Sequence, residues 1–154
     1  MARKSAFIYA DELASFELSE THPLKPIRLR YTHELLDGYN AFGADEVEVA
    51  PPREADDDEL LGFHTEEYLR VVQALSRGEG VADPGQYNFG PGDNPVFEGM
   101  YEAAKLSTGG SLTAAEMLAD GRVEAAFSIS GGLHHAMAGY ASGFCVFNDP
   151  VIAI

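Results

Sequence analysis

The feature that most constrains this chain is a short apolar run that ends in two glycines and is followed by two adjacent histidines. The run covers residues 125–129, Gly131 and Gly132 come next, and the pair is His134 and His135. Such a run is typical of a buried strand, and glycine allows a sharp turn and a close approach of backbone to ligand. Because ligands of open α/β sheets bind at the carboxyl ends of strands, the sequence predicts a site here.

Adjacent histidines suit proton-transfer chemistry. A neutral imidazole titrates near neutral pH, so it can take a proton from water and return it to a leaving group. A charge on one ring disfavours a charge on its neighbour, so His134 and His135 can hold different protonation states. The pair could also be a polar turn, a chance neighbourhood or a metal site. The glycines before it and the Gly143, Phe144 and Cys145 turn after it favour a functional site.

Three strands and long crossovers indicate the fold class. Strands are expected at residues 5–10, at residues 47–49 and around Phe127. Connections of this length between strands favour parallel pairing with helices on both faces. The sequence therefore predicts an α/β fold, a three-layer αβα arrangement around a parallel sheet.

Helices and loops fill the segments between these strands. Helices are expected from Pro23 and Pro26 to about Asn40, after a cap at Thr65, from Pro95 to about Ala119, and after a cap at Asn148. In the first helix Ile27, Tyr31, Leu35 and Tyr39 form one apolar stripe. Residues 11–22 and 78–94 are predicted to be loops, and a loop as long as the second is often functional.

Composition narrows the classes of partner and compartment. The length of 154 residues fits one domain. The net charge of −15 argues against nucleic-acid binding and is compatible with a cationic partner. Cys145 is the only cysteine, so no internal disulfide can form and a reducing cytoplasm is expected. The apolar run after the basic start at residues 1–4 is too short for a signal peptide or a membrane span.

A specific string of motifs resembles the signature of the histone deacetylase family, in particular its bacterial acetoin utilization type. The string comprises GGLHHA at residues 131–136, ASGFC at 141–145 and ND at 148–149, with upstream matches at residues 21–30, 63–68 and 93–97. The resemblance implies the arginase/deacetylase-like fold, and residues 1–154 match only the amino-terminal part of its single catalytic domain. The last helix ends in uncapped apolar residues 151–154, so we expect a chain truncated at its carboxyl end.

The resemblance assigns the histidines to catalysis rather than to metal binding. His135 would be the main general base and acid, and His134 its electrostatic partner, acting on a zinc-bound water. No zinc ligand is expected among these residues. The family's ligands, an aspartate, a histidine and a second aspartate, would lie downstream of Ile154, and so would the groups that orient the histidines.

The resemblance also assigns three residues to substrate binding. Gly143 would let a backbone carbonyl reach the substrate amide, and the ring of Phe144 would line a slot for the acyl-lysine stem. Asp93 would hold the substrate backbone at the rim. Without the motif, Phe144 would be taken for a core residue and Asp93 for a turn residue.

A cavity for released acetate is the remaining implied site. Arg28 would lie beside this cavity, and Gly131 and Gly132 would form its wall. A surface position on its helix is the alternative for Arg28. Cys145 is expected to be a structural thiol, since the family uses no covalent intermediate, although a Cys–His nucleophile is conceivable.

These assignments lead to a functional prediction with two alternatives. The chain is expected to belong to a zinc-dependent deacetylase that hydrolyses acetyl-lysine amides and is associated with acetoin catabolism, and to be inactive in isolation. The substrate could instead be a small acetylated amine, as in an acetylpolyamine amidohydrolase. A non-catalytic, truncated interaction module is the alternative from another class. No nucleic-acid or membrane partner is expected.

Overall fold

A parallel three-stranded sheet forms the centre of the protein. The structure is a computed structural model, and it describes residues 3–154. The strands are β1 (Ser5–Ile8), β2 (Val47–Ala50) and β3 (Ala125–Ser128), in the order β2-β1-β3. In this register Phe7 lies opposite both Val49 and Phe127. The prediction of three parallel strands is confirmed. The expectation that the third strand is buried is wrong, because β3 lies at the edge of the sheet and Phe127 is 59% exposed.

Helices cover both faces of the sheet. The helices are α1 (Ile27–Gly38), α2 (Asp57–Leu61), α3 (Glu66–Ser76), α4 (Met100–Ala119) and α5 (Asp149–Ile152). Side chains alternate along a strand, so Phe7 packs with Leu29 of α1 on one face and Ile8 with Met117 of α4 on the other. The layers are therefore α1, sheet and α4, as expected for an α/β fold of three layers.

A separate core beside the sheet supports the segment that carries the histidines. Thr65 caps α3 by accepting a hydrogen bond from the backbone of Tyr68, and the apolar face of α3 buries Tyr68 and Val72 against α4. Phe147, just before α5, is buried in the same cluster. The Tyr68 hydroxyl donates to the carbonyl of Val146 at 2.8 Å. Residues 144–149 are thus fixed by helices that precede them in the chain.

The apolar stripe predicted for α1 does not face the core. Tyr31 is 62% exposed and Leu35 is 60% exposed, whereas Leu29 is buried. The helix carries apolar residues on two faces, and periodicity alone identifies residues that share a face without showing which face is buried. The expectation of a helix is correct, and the choice of its inner face is wrong.

The long helix α4 begins five residues later than the sequence indicates. Its first residue is Met100, not Pro95, and it ends at Ala119 as expected. Gly99 precedes it with a left-handed backbone, φ 78°, which a continuing helix cannot contain. The proline therefore belongs to the preceding loop.

Short 3₁₀ turns lie within both segments that were expected to be loops. A short 3₁₀ turn, Asp11–Ala14, interrupts the expected loop at residues 11–22, and another, Pro84–Tyr87, lies within the loop at residues 78–94. Among residues 3–154, none of the helices has the length and apolarity needed to cross a membrane. The interpretation of the basic start rests partly on Met1 and Ala2, which lie outside the described residues.

Candidate functional site

The paired histidines follow the carboxyl end of β3. Their ring centroids are 4.2 Å apart, with the planes tilted by 42°, and both residues are exposed in residues 3–154. The Nδ1 of His134 lies 2.8 Å from the carbonyl oxygen of Gly132. A carbonyl only accepts hydrogen bonds, so Nδ1 of His134 is the donor here and Nε2 is the ring nitrogen left to exchange a proton. The geometry therefore presents a base at the end of the central layer.

The turn at residues 142–145 lies against His135, as the sequence predicts. A Cβ added at Gly143 would lie 2.9 Å from Cγ and Cδ2 of the His135 ring, so only glycine permits this contact. Gly143 and Phe144 both have left-handed backbones, with φ of 51° and 72°, and Ser142 pairs with Cys145 across the turn. The imidazole and the turn thus form one surface.

Phe144 is held by residues from two distant segments. Its backbone N–H donates to Oδ1 of Asn94 at 3.1 Å. The ring of His22 packs edge-on against the Phe144 ring, with centroids 4.6 Å apart. These contacts fix the strained left-handed conformation of a bulky residue, which is otherwise rare.

Asp93 reaches the same region through its backbone. Nδ1 of His22 accepts the N–H of Leu24 at 3.1 Å, so Nε2 carries the proton and donates to the carbonyl of Asp93 at 3.2 Å. Asp93 itself is exposed. Asp93 therefore lies near the Phe144 turn, on the loop that includes Asn94, and His22 links the two by hydrogen bonding and ring packing.

A cavity of about 100 Å³ borders this site. Arg28, Gly131 and Phe144 all contribute to its wall, which is otherwise mainly apolar. Gly132, which was expected there, is not among the lining residues. Its backbone has φ 86°, and its N–H points instead to Asp149. Of the three residues expected at this cavity, Arg28 and Gly131 line it, whereas Gly132 lies in the turn that precedes the histidines. Phe144, expected to line the substrate slot, also contributes to the cavity wall.

Asp149 is a buried carboxylate that binds the loop ahead of the histidines. It is 1% exposed, and it accepts the N–H of Gly132 at 2.9 Å and that of Leu133 at 2.6 Å. The Ser111 hydroxyl of α4 donates to the same carboxylate. A Cβ on Gly131 would lie 2.9 Å from Oδ2 of Asp149, which explains the first glycine of the motif. Sequence reasoning placed Asp149 only in the first turn of a helix.

Asn148 and His64 bind the other side of the same loop. The amide of Asn148 donates to the carbonyls of His134, at 3.1 Å, and Ala136, at 2.9 Å. Its backbone N–H donates to Nε2 of His64 at 3.1 Å, and Nδ1 of His64 donates to the carbonyl of Ala138 at 3.3 Å. Burial lowers the pKa of His64, consistent with the neutral ring that this pattern requires. The predicted cap is present, because Oδ1 of Asn148 accepts the N–H of Val151.

Cys145 has the properties of a structural thiol. Its side chain is buried, and its Sγ donates to the carbonyl of Gly143 at 3.3 Å. Burial raises the pKa of the thiol, which favours the unreactive protonated form. The geometry thus favours the structural interpretation over a nucleophile.

The described residues do not supply a metal site. Within residues 3–154 there is no group of three or more His, Cys, Asp or Glu side chains that could hold a metal ion. A catalytic zinc needs about three protein ligands. His134 and His135 therefore do not fit the role of a zinc site formed by this chain alone.

Comparison with known proteins reveals one consistent family. Residues 22–154 match the histone deacetylase domain. The chain is 40% identical over 153 residues to the acetoin utilization protein AcuC of Bacillus subtilis, covering 99% of this chain and 39% of that protein. It is 35% identical to human histone deacetylase 1 over 155 residues, covering 99% of this chain and 32% of that protein.

A solved structure shows the same relationship. The crystal structure of a histone deacetylase homologue from Aquifex aeolicus superposes with a TM-score of 0.84 at 31% identity, covering 98% of this chain and 40% of that one. The chain thus spans well under half of the proteins that it matches. From the domain match and these similarities, the chain belongs to the histone deacetylase family.

Proposed function

We propose that this chain is the proton-transfer part of a zinc-dependent deacetylase that hydrolyses acetyl-lysine amides. One observation carries the proposal. The His134–His135 pair lies at the carboxyl end of β3, with the His135 ring against Gly143, beside a mainly apolar cavity lined by Arg28. A base, a substrate turn and a small cavity are the parts that amide hydrolysis requires from this side of a site.

In this proposal the two imidazoles divide the proton transfer. His135 takes a proton from the water whose oxygen attacks the acetyl carbonyl, and returns a proton to the nitrogen when the C–N bond breaks. Acetate and a free amine are the products. The two ring centroids are 4.2 Å apart, close enough for a charge on one ring to act on the other. His134 is therefore the electrostatic partner of His135, and its Nδ1 donates to the Gly132 carbonyl.

The surroundings favour a cationic substrate with an apolar stem. Phe144 offers a ring beside Gly143, and Asp93 offers a carboxylate at the rim, on a chain of net charge −15. We propose that Arg28 and Gly131 form the wall of a cavity for released acetate, with Gly132 in the adjoining turn. The same acidity suits an acetylated polyamine, which remains the alternative substrate class.

Zinc and pathway enter as proposals that rest on the relatives. Since residues 3–154 contain no group of three ligands, the zinc ligands would come from the part of the domain that this chain does not span. The name of the Bacillus subtilis relative supports a role in acetoin utilization. Cys145, the single and buried cysteine, fits the reducing cytoplasm that we propose as its compartment.

A chimera tests this proposal directly. Residues 1–154 replace the matching segment of AcuC from Bacillus subtilis, to which they are 40% identical, and the product is assayed on an acetyl-lysine peptide and on an acetylated polyamine. Faster turnover of the peptide is expected. A soluble, folded chimera that hydrolyses neither substrate contradicts the proposal, and a preference for the polyamine establishes the alternative.

A further inference from the structure

We propose that Asp149 and Asn148, with His64 behind them, are positioning residues that fix the histidine loop at residues 132–136 for proton transfer. The inference rests on the proposed function for its catalytic consequence, and on the hydrogen bonds alone for its structural one. The three residues touch neither the reacting atoms nor the cavity. They act through the backbone on both sides of His134 and His135.

The hydrogen bonds of Asp149 are directed at the loop rather than at its own helix. Its two carboxylate oxygens accept the N–H groups of Gly132 and Leu133, and the Ser111 hydroxyl donates to one of them. Hydrogen bonds to an ionised acceptor are stronger than neutral ones. The backbone just before His134 is thereby tied to α4 and α5.

A helix cap does not explain this carboxylate. The side chain of Asn148 already caps α5 through the N–H of Val151. Asp149 is 1% exposed, and no salt bridge to it occurs within residues 3–154. Burial of a carboxylate is unfavourable unless its hydrogen bonds replace those of water, and here the replacements come from the loop. Holding the loop is therefore the role that accounts for a buried acid at this position.

Asn148 provides the complementary contacts on the far side of the histidines. Its amide donates to the carbonyl of His134 and to that of Ala136, the residues that flank His135. Donors on one side of the loop and acceptors on the other leave little freedom for the backbone between them. Both imidazoles are carried by this backbone, so a displacement of the loop would displace the rings of His134 and His135.

His64 sets the position of Asn148 itself. Its Nε2 accepts the backbone N–H of Asn148, and its Nδ1 donates to the carbonyl of Ala138. The ring is 3.1 Å from the first partner and 3.3 Å from the second. This single side chain therefore joins the start of α5 to Ala138, two residues beyond the histidine loop.

Isosteric substitutions in the AcuC chimera separate positioning from folding. Asp149→Asn replaces one acceptor oxygen by a donor, and Asn148→Asp keeps the cap on Val151 but removes the donor to the two carbonyls. Asp57→Asn is the matched control, because Asp57 accepts hydrogen bonds from Tyr101 and from Gln73 away from the loop. Each variant is measured for kcat, KM and Tm, and for hydrogen exchange in a peptide covering residues 131–137.

We expect kcat to fall by about 10²-fold in Asp149→Asn and Asn148→Asp, the cost of a misplaced catalytic group, with KM within about threefold because no substrate contact is lost. Exchange in residues 131–137 should rise in both variants and stay unchanged in Asp57→Asn. His64→Gln, which can offer an acceptor near the position of Nε2, should retain more turnover than His64→Ala.

Two results would overturn the inference. One is a kcat within twofold of the parent in both loop variants. The other is a loss of kcat in the control variant Asp57→Asn as large as in the loop variants, with a matching loss of Tm. If the parent chimera has no activity, the proposed function fails on its own, and hydrogen exchange still decides whether Asp149 and Asn148 hold the loop.

Discussion

At the scale of single residues, the site depends on atoms that a small change would displace. The turn at Gly143 lies so close to the His135 ring that a methyl group on Gly143 would clash with the ring. His64, by contrast, is distant in the sequence and nevertheless sets the loop through one backbone hydrogen bond to Asn148.

Gly143→Ala should impair turnover without unfolding the protein. The new Cβ would lie 2.9 Å from the His135 ring, and φ at this position is 51°, which alanine adopts only with strain. We expect kcat of the chimera to fall by about 10²-fold. Gly139→Ala is the control, since a Cβ there meets nothing within 4 Å. Equal kinetics for the two variants would show that the contact with His135 has no catalytic importance.

His64 should make the stability of the protein fall in mild acid. Burial lowers the pKa of the folded ring below its ordinary value of 6.5. The unfolded chain therefore binds the proton first, and stability decreases as the pH falls below about 6.5, with the full contribution present above it. Urea unfolding of the chimera at pH 7.5 and 5.5 measures the difference. The difference in unfolding free energy between the two pH values should be smaller in His64→Gln. If it is the same as in the parent, His64 does not cause it.

At the scale of elements, the sequence was informative where a pattern has one interpretation. The Thr65 cap and the single apolar face of α3 predicted that helix correctly. The string of motifs predicted that the turn at Gly143 lies near His135, and the two are in contact. The pattern of α1 has two apolar faces, so its buried side could not be chosen. The contact of His64 with Asn148 joins residues that are 84 positions apart, and no local pattern reports such a contact.

The two faces of α1 can be distinguished by one matched pair of substitutions. Leu29 is buried and Leu35 is 60% exposed. In the chain of residues 1–154, Leu29→Ala should reduce the free energy of unfolding by about 2–5 kcal/mol, and Leu35→Ala by no more than about 0.5 kcal/mol. Denaturant unfolding followed by circular dichroism measures both. A larger loss for Leu35→Ala would mean that the predicted stripe, not Leu29, faces the core.

At the scale of the whole molecule, the chain provides one side of a site. Residues 3–154 bring the histidines, the turn and the cavity together. The same residues contain no group of three or more His, Cys, Asp or Glu side chains that could hold a metal ion. The strand β3 also presents Phe127 with 59% of its surface exposed, at the edge of the sheet. Under the proposed function, the metal ligands would therefore come from outside residues 3–154.

The isolated chain should neither bind zinc tightly nor hydrolyse an acetyl-lysine peptide. Adjacent histidines make a strained chelate, and about three protein ligands are needed for a catalytic zinc. Metal analysis after dialysis against zinc should give well under one ion per isolated chain. The chimera, treated in the same way, is the positive control and should retain zinc. Stoichiometric zinc in the isolated chain, with activity equal to that of the chimera, would require ligands that the structure does not bring together.

His135 is assigned as a proton-transfer group and not as a metal ligand, and the substitution His135→Ala in the chimera tests that assignment. Deacetylation of an acetyl-lysine peptide and zinc content are measured on the same sample. We predict that turnover falls by about 10²–10⁴-fold, the contribution of a general base, while zinc content equals that of the parent chimera. Unchanged turnover, or a loss of turnover that accompanies a loss of zinc, would contradict this assignment.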